Sequence, residues 1–175
     1  SSVVWGPFSV VWGLALVLAA VLLRGGKDRS ESRIFWFGVI LGGAYEYACS
    51  AVTELLFGTV FWDYSGFKFN LGGRINLLYC FFWGIAAVAW IRYGYPLVEK
   101  GMRNVKRFIR PWMTVLLAVF LAADLTVSAL ALARYNARTG GAAPANRVEV
   151  LLDTHFGDAR MERIYPNAKK VETAG

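Results

Sequence analysis

The sequence predicts an all-α integral membrane protein: a bundle of four transmembrane helices followed by a polar C-terminal tail. Two observations carry this reading. Of 175 residues, 57% are hydrophobic and 15% aromatic, and the mean hydropathy is +0.43, a balance that a water-exposed surface does not sustain. The apolar residues also gather into four segments, Val3 to Leu23, Ile34 to Phe57, Leu71 to Tyr93 and Met113 to Ala133. Each is long enough to cross a hydrocarbon core of roughly 30 Å once. Residues 1–135 therefore read as a transmembrane domain and residues 136–175 as a polar tail.

The first segment begins without a methionine and without a basic flank. This argues against a secretory signal peptide and leads us to expect a missing upstream piece. The second segment is the most informative. From Gly42 to Glu54 it holds two carboxylates and several hydroxyls inside an otherwise apolar stretch. As a helix, residues 34–57 span about 36 Å, which puts Glu46 near the bilayer midplane. A carboxylate there is costly unless it faces protein, water or a partner charge. Gly42, Glu46, Ser50 and Glu54 recur at helical spacing, so one face turns from small to polar along the helix. The fourth segment sets Asp124 at mid-depth with Ser128 one turn on, and the two midplane carboxylates are expected to meet in one bundle.

The net charge of +7 is distributed in a way that excludes a nucleic-acid-binding reading. Arg24, Lys27, Arg29 and Arg33 occupy the first connection, and Arg92, Lys100, Arg103, Lys106, Arg107 and Arg110 the third, whereas the second holds only Lys68. This alternation is the positive-inside pattern. It places the first and third connections in the cytoplasm, the second outside, and both chain ends outside. The tail after Arg134 mixes both signs of charge, and long terminal segments follow the rule poorly.

Cys49 and Cys80 fall within spans rather than in the outer loop, so buried free thiols are expected. No CxxC, HExxH or GxxxxGK[ST] occurs, and no cofactor, metal-site signature or nucleotide loop is expected. If ATP drives this protein, another chain binds it. In the tail, Asp153, His155, Asp158 and Glu162 lie close in sequence and form a candidate divalent-cation cluster. A solvated amphipathic helix accounts for the same spacing. Residues 136–146, rich in Gly and Ala, read as the linker to that tail.

Arg74 starts the third span at about the level where Glu54 ends the second, so an ion pair between them is natural, with Asp63 competing for the same guanidinium. A structural pair of this kind outweighs substrate contact for Arg74. The aromatics around Trp62 and Tyr64 also suit an interfacial anchor and turn. Polar residues bridge membrane helices without binding anything, and small residues such as Gly38, Gly42 and Gly84 let backbones approach. For Glu46 the balance favours function, because an uncharged amide fills a bridging role at lower cost.

The series Tyr45-Glu46-Tyr47, Glu54, Trp62-Asp63-Tyr64-Ser65, Phe69-Asn70, Gly73-Arg74-Ile75 and Trp83-Gly84 resembles the bacterial membrane family labelled "Putative ABC-transporter type IV". Gly6-Pro7-Phe8 with Trp12-Gly13, Asp124 with Ser128, and Arg163-Ile164-Tyr165-Pro166-Asn167 are similar to it as well. The resemblance covers nearly the whole chain. It implies a multi-span protein of the bacterial inner membrane, with one more helix, carrying a Gly-Trp and a Glu, before the Gly-Pro-Phe segment.

Three function classes follow. The first is a transporter or permease component whose polar cavity takes a cation, a proton or a small polar solute. Its candidate residues are Glu46, Ser50, Glu54, Asp63, Asn70, Arg74, Asn76, Asp124 and Ser128. The second is an intramembrane enzyme using a carboxylate pair as acid and base on a lipid-linked or amphiphilic substrate. The third is a non-catalytic subunit that docks another membrane subunit or a second copy of itself. The first is preferred because the charges spread across the depth of the membrane, as a pathway requires. Orientation is testable directly: a Ser65→Cys variant should react with a membrane-impermeant maleimide in intact cells, and reaction only after permeabilisation would reverse the whole topology.

Overall fold

A computed structural model describes residues 3–23 and 30–170. Arg24, Lys27 and Arg29 of the first basic connection and residues 171–175 of the tail lie outside the described residues. Among the described residues the chain is mostly helical: α1 (Val10–Leu23), α2 (Glu31–Phe57), α3 (Leu77–Val105), α4 (Pro111–Thr139), α5 (Arg147–His155) and α6 (Asp158–Ile164). Two short antiparallel ladders complete the structure. One pairs β1 (Thr59–Val60) with β4 (Lys169–Lys170), and the other pairs β2 (Asn70–Leu71) with β3 (Ile75–Asn76).

Two helices, α3 and α4, each of 29 residues, are long and apolar enough to cross a membrane. Only 22% of the most apolar window of each is buried inside the protein, whereas the core helix of a water-soluble domain is mostly covered. Leu55, Ile40, Trp112 and Val115 are among many large apolar side chains left uncovered, the surface expected of lipid contact. Of the other two expected spans, α1 is 14 residues long, because residues 3–9 are not helical. α2 has 27 residues, but its polar stripe keeps it outside the same class.

The third span was expected to begin at Leu71, yet Leu71 lies in the β2–β3 hairpin, where Gly72 and Gly73 take left-handed φ of +60° and +68°. α3 starts instead after Asn76, whose side chain accepts a hydrogen bond from the Leu78 amide as an N-cap. It also runs past Tyr93. Pro96 would break an ordinary helix by removing a donor and crowding the carbonyl one turn back. Here a π-helical turn, Trp90–Gly94, immediately precedes it and absorbs the misfit.

The chain forms two compact units. The first comprises Val11–Ala51 and Asp63–Met113. Its apolar core joins Leu23, Ile34, Ala87 and Ile91, and it depends on close approach of α2 to α3. A side chain at Gly38 would collide with the Ala87 β-carbon, and one at Gly42 with Trp83. Small residues at these positions let the two backbones meet.

The second unit comprises Ser1–Val10, Val52–Trp62 and Thr114–Gly175. Its core of Val4, Ala131, Leu132, Leu152, Phe156, Met161 and Tyr165 joins the second half of α4 to α5 and α6. Arg134, 4% exposed at the side chain, grips Asp153 with both ends of its guanidinium at 2.9 and 2.8 Å and adds the Ala142 carbonyl. Arg138, one turn on, bonds Asp153, Asp158 and the Phe156 carbonyl. Asn136 donates to the Phe57 carbonyl and the Thr59 hydroxyl, each at 2.7 Å. Asn146 caps α5 by accepting from the Glu149 amide.

The hydrogen bond from Arg134, seconded by Arg138, holds the Asp153 carboxyl below the usual carboxylate range. A depressed folded-state value gives stabilisation that is complete above the unfolded-state value and lost as pH falls through the folded one. Amide protection in α5 should therefore hold at neutral pH and fall as pH drops below about 4, measured by hydrogen exchange. Unchanged protection through that window would refute the latch.

Candidate functional site

Glu46 is 9% exposed and lies on α2 one turn beyond Gly42, where the close approach to α3 brings Trp83 alongside. The Trp83 indole Nε1 donates to Glu46 Oε2 at 3.2 Å. The Tyr64 hydroxyl donates to Oε1 at 2.8 Å. Both carboxylate oxygens are thus held by neutral donors, and no cation pairs with Glu46 among the described residues.

The loop between α2 and α3 exists to present Tyr64. Its amide bonds the Gly73 carbonyl at 2.8 Å, and its ring stacks on Tyr79 of α3 with centroids 4.8 Å apart. Burial first, and then the hydrogen bond to Glu46, push the Tyr64 phenol above the ordinary tyrosine range. It remains a donor at any physiological pH.

Other predicted site residues have defined architectural work. Asp63 Oδ1 accepts from the Ser65 amide at 2.9 Å. Asn70 bonds the Phe67 carbonyl and the Gly73 amide at 2.7 and 2.9 Å. Asn76, besides capping α3, donates to the Lys68 carbonyl at 2.7 Å. Together these fix the turn that carries Tyr64. One turn beyond Glu46, Ser50 accepts from Arg74 Nη1 at 3.2 Å, and the same guanidinium lies over the Tyr47 ring, 5.7 Å from its centroid. The cluster of Glu46, Tyr64, Trp83, Ser50 and Arg74 is contained in the first unit.

Glu54, Asp124 and Ser128 belong to the second unit. Asp124 is fully buried. Its Oδ1 accepts from the Trp5 amide at 3.2 Å and contacts the Ser128 hydroxyl at 3.3 Å. Its Oδ2 has no hydrogen-bond partner among the described residues. Ser128 in turn accepts from the Val4 amide at 2.8 Å, so the pair fastens the non-helical segment at residues 3–9 to α4.

The candidate cation cluster in the tail does not form. Among the described residues no three His, Cys, Asp or Glu side chains come together. Asp153 and Asp158 are turned to Arg134 and Arg138 instead, and the His155 ring closes on the Leu151 carbonyl of its own helix. Neither thiol is in a disulfide; Cys80 is buried and Cys49 half-buried.

An apolar cleft between α1, α2 and α3 adjoins the cluster, walled by Trp12, Leu16, Gly42, Tyr45, Trp83 and Trp90. Three polar atoms on its wall are already engaged. The Tyr45 hydroxyl bonds the Val11 carbonyl at 2.6 Å, the Trp90 indole the Leu16 carbonyl at 3.2 Å, and the Trp83 indole Glu46. Trp83 thus has its N–H on the carboxylate and its ring against Trp12 in the cleft, with centroids 5.1 Å apart.

The model of the family described as "Putative ABC-transporter type IV" matches residues 1–129. The chain belongs to this family. The matched region contains the Glu46 cluster together with Asp124 and Ser128, and it stops short of the Arg134 and Arg138 latch. No curated protein and no solved structure matches the chain. Family membership and the two long apolar helices make this a membrane protein of the transporter class in the family's description.

The holders of Glu46, Tyr64 and Trp83, were not among the predicted site residues, although each stands in a motif carrying the family resemblance. A double-mutant cycle tests their role. Tyr64→Phe should cost about 1.5–3 kcal/mol, the range for hydrogen bonds to charged groups. In a Glu46→Gln background the cost should shrink to about 1 kcal/mol, since a neutral acceptor remains. A coupling near zero, measured by unfolding in detergent, would show that the observed bond contributes nothing.

Proposed function

We propose that this chain is a membrane-embedded component of a transporter. In this reading α1 to α4 are four spans, with the loop Trp62–Ser65 outside, the cluster Arg103–Arg110 inside, and residues 136–175 forming a polar appendage. The functional group is the Glu46 carboxylate, which binds a cation, a proton or a small polar solute. One observation supports this most: a carboxylate deep in apolar surroundings is held by two neutral donors and no cation. Such an arrangement leaves its charge uncompensated, so a cation or a proton gains more there than at a site already ion-paired. The partners in this reading are the bilayer, other membrane subunits or a second copy, and a separate ATP-binding chain if ATP is the energy source. Arg74 is read as structural, steadied by Ser50.

A second reading has one observation in its favour. The apolar cleft and the carboxylate share Trp83, which suits an amphiphile with its hydrocarbon in the cleft and its polar end near Glu46, as for an intramembrane enzyme.

The two roles of Glu46, function and packing, separate by substitution. Glutamine keeps the shape and one acceptor oxygen, puts a donor NH2 in place of the other, and removes the charge. Glu46→Gln should assemble and melt like the parent but lose at least tenfold in uptake or in whatever cellular phenotype deletion reveals. Full function in Glu46→Gln, with Glu46→Ala failing to assemble, would make Glu46 a packing residue and remove the support for both readings.

A further inference from the structure

We propose that the last third of α3, Tyr95–Val105, together with the turn to Arg110, is a docking face for the anionic phospholipids of one leaflet. α3 is 29 residues long, about 43 Å at 1.5 Å per residue, against a hydrocarbon core of about 30 Å. The excess of about 13 Å is the length of some nine residues, which places 97–105 at headgroup level.

That part of the helix changes character to match. At about 100° per residue, Leu97, Val98, Met102 and Val105 fall on one half of the helix surface and Lys100 and Arg103 on the other, and Lys106 and Arg107 follow in the turn. No residue of Tyr95–Val105 is buried, and the four apolar residues are all exposed. Arg103 has a partner in Glu99, and Arg107 lies over the Phe108 ring. Lys100, Lys106, Arg107 and Arg110 form no ion pair among the described residues.

Charge complementarity and continuity select the occupant. Five basic residues against the single acidic Glu99 call for an anionic surface, and the uncovered apolar half continues the lipid-facing surface of the same helix. A basic amphipathic segment joined to a span meets both demands at once in an anionic leaflet. A purely electrostatic partner such as a nucleic acid leaves Leu97, Val98, Met102 and Val105 in water. Trp90, Tyr93 and Trp112 flank the segment, the aromatic placement typical of a membrane interface.

The full chain in detergent is titrated with phosphatidylglycerol or phosphatidylcholine, and bound lipid is counted by native mass spectrometry. Phosphatidylglycerol should be retained at least tenfold more strongly. Replacing Lys106→Gln and Arg107→Gln together should weaken its binding by about 30-fold, from about 1 kcal/mol per basic residue, and leave phosphatidylcholine unchanged. Lys106→Arg with Arg107→Lys should keep the preference, as should Glu46→Gln, which separates this face from the proposed transport site. Equal retention of the two lipids by the parent chain overturns the proposal, as does undiminished phosphatidylglycerol binding by the Gln variant. Displacement of the lipid by equimolar inorganic phosphate would point to a free-phosphate site and overturn it too, and so would a preference for polyglutamate or an oligonucleotide over phosphatidylglycerol.

Discussion

Placing a carboxylate inside an apolar helix pair constrains everything around Glu46. An unmatched carboxylate oxygen away from water costs about 1–3 kcal/mol or more, so donors must be brought to it. α2 and α3 meet where Gly38 and Gly42 leave no side chain between them, and that approach sets the Trp83 indole on Oε2. The second donor lies outside this helix pair. It comes from the loop, where Asp63, Asn70 and Asn76 spend their side chains on main-chain groups and so hold Tyr64 at Oε1. The helix packing and the hairpin are two answers to one electrostatic demand.

The second unit treats buried charge differently. Arg134 is matched by a carboxylate in a bidentate geometry and by a carbonyl, the arrangement in which a buried ion is least costly. Asp124 is matched by a main-chain amide and by Ser128, and one oxygen is left without a protein donor among the described residues. Its hydrogen bonds go to Ser128, one turn on in the same helix, and to the segment at residues 3–9.

The apolar segments were legible in the sequence because hydropathy is local and needs no partner. Their ends were not. Leu71 reads as the start of a span, but the left-handed Gly72 and Gly73 fold it into a hairpin, and the Asn76 cap that starts α3 is a signal the hydropathy profile overlooks. Tyr93 reads as the end of the apolar run, yet the π turn carries the helix onward past Pro96. Glu46 was legible as a buried charge, since its position in an apolar helix is enough to mark it. Its donors were not, because Tyr64 and Trp83 reach it across 18 and 37 residues, one brought near by the loop's own hydrogen bonds and the other by the packing of the α2 glycines. Arg134 and Arg138 stand one helical turn apart in the sequence, but their choice of Asp153 and Asp158, which removes the candidate cation cluster, depends on how α5 and α6 fold back.

The means of compensation decides which buried charge is free to act. Arg134 is committed: its ion pair holds the tail, and a ligand would have to replace Asp153 before binding anything. Asp124 is sealed, with no exposed surface. Glu46 differs on both counts. Its partners are neutral donors, and one of them sits on a loop whose turn is fixed by side chains rather than by a packed core. Displacing the Tyr64 hydroxyl opens Oε1 while Trp83 continues to hold Oε2. Under the proposed function Glu46 would exchange one neutral donor for a cation or a proton while the other keeps it in place, and among the described buried carboxylates it is the one with a donor on each oxygen.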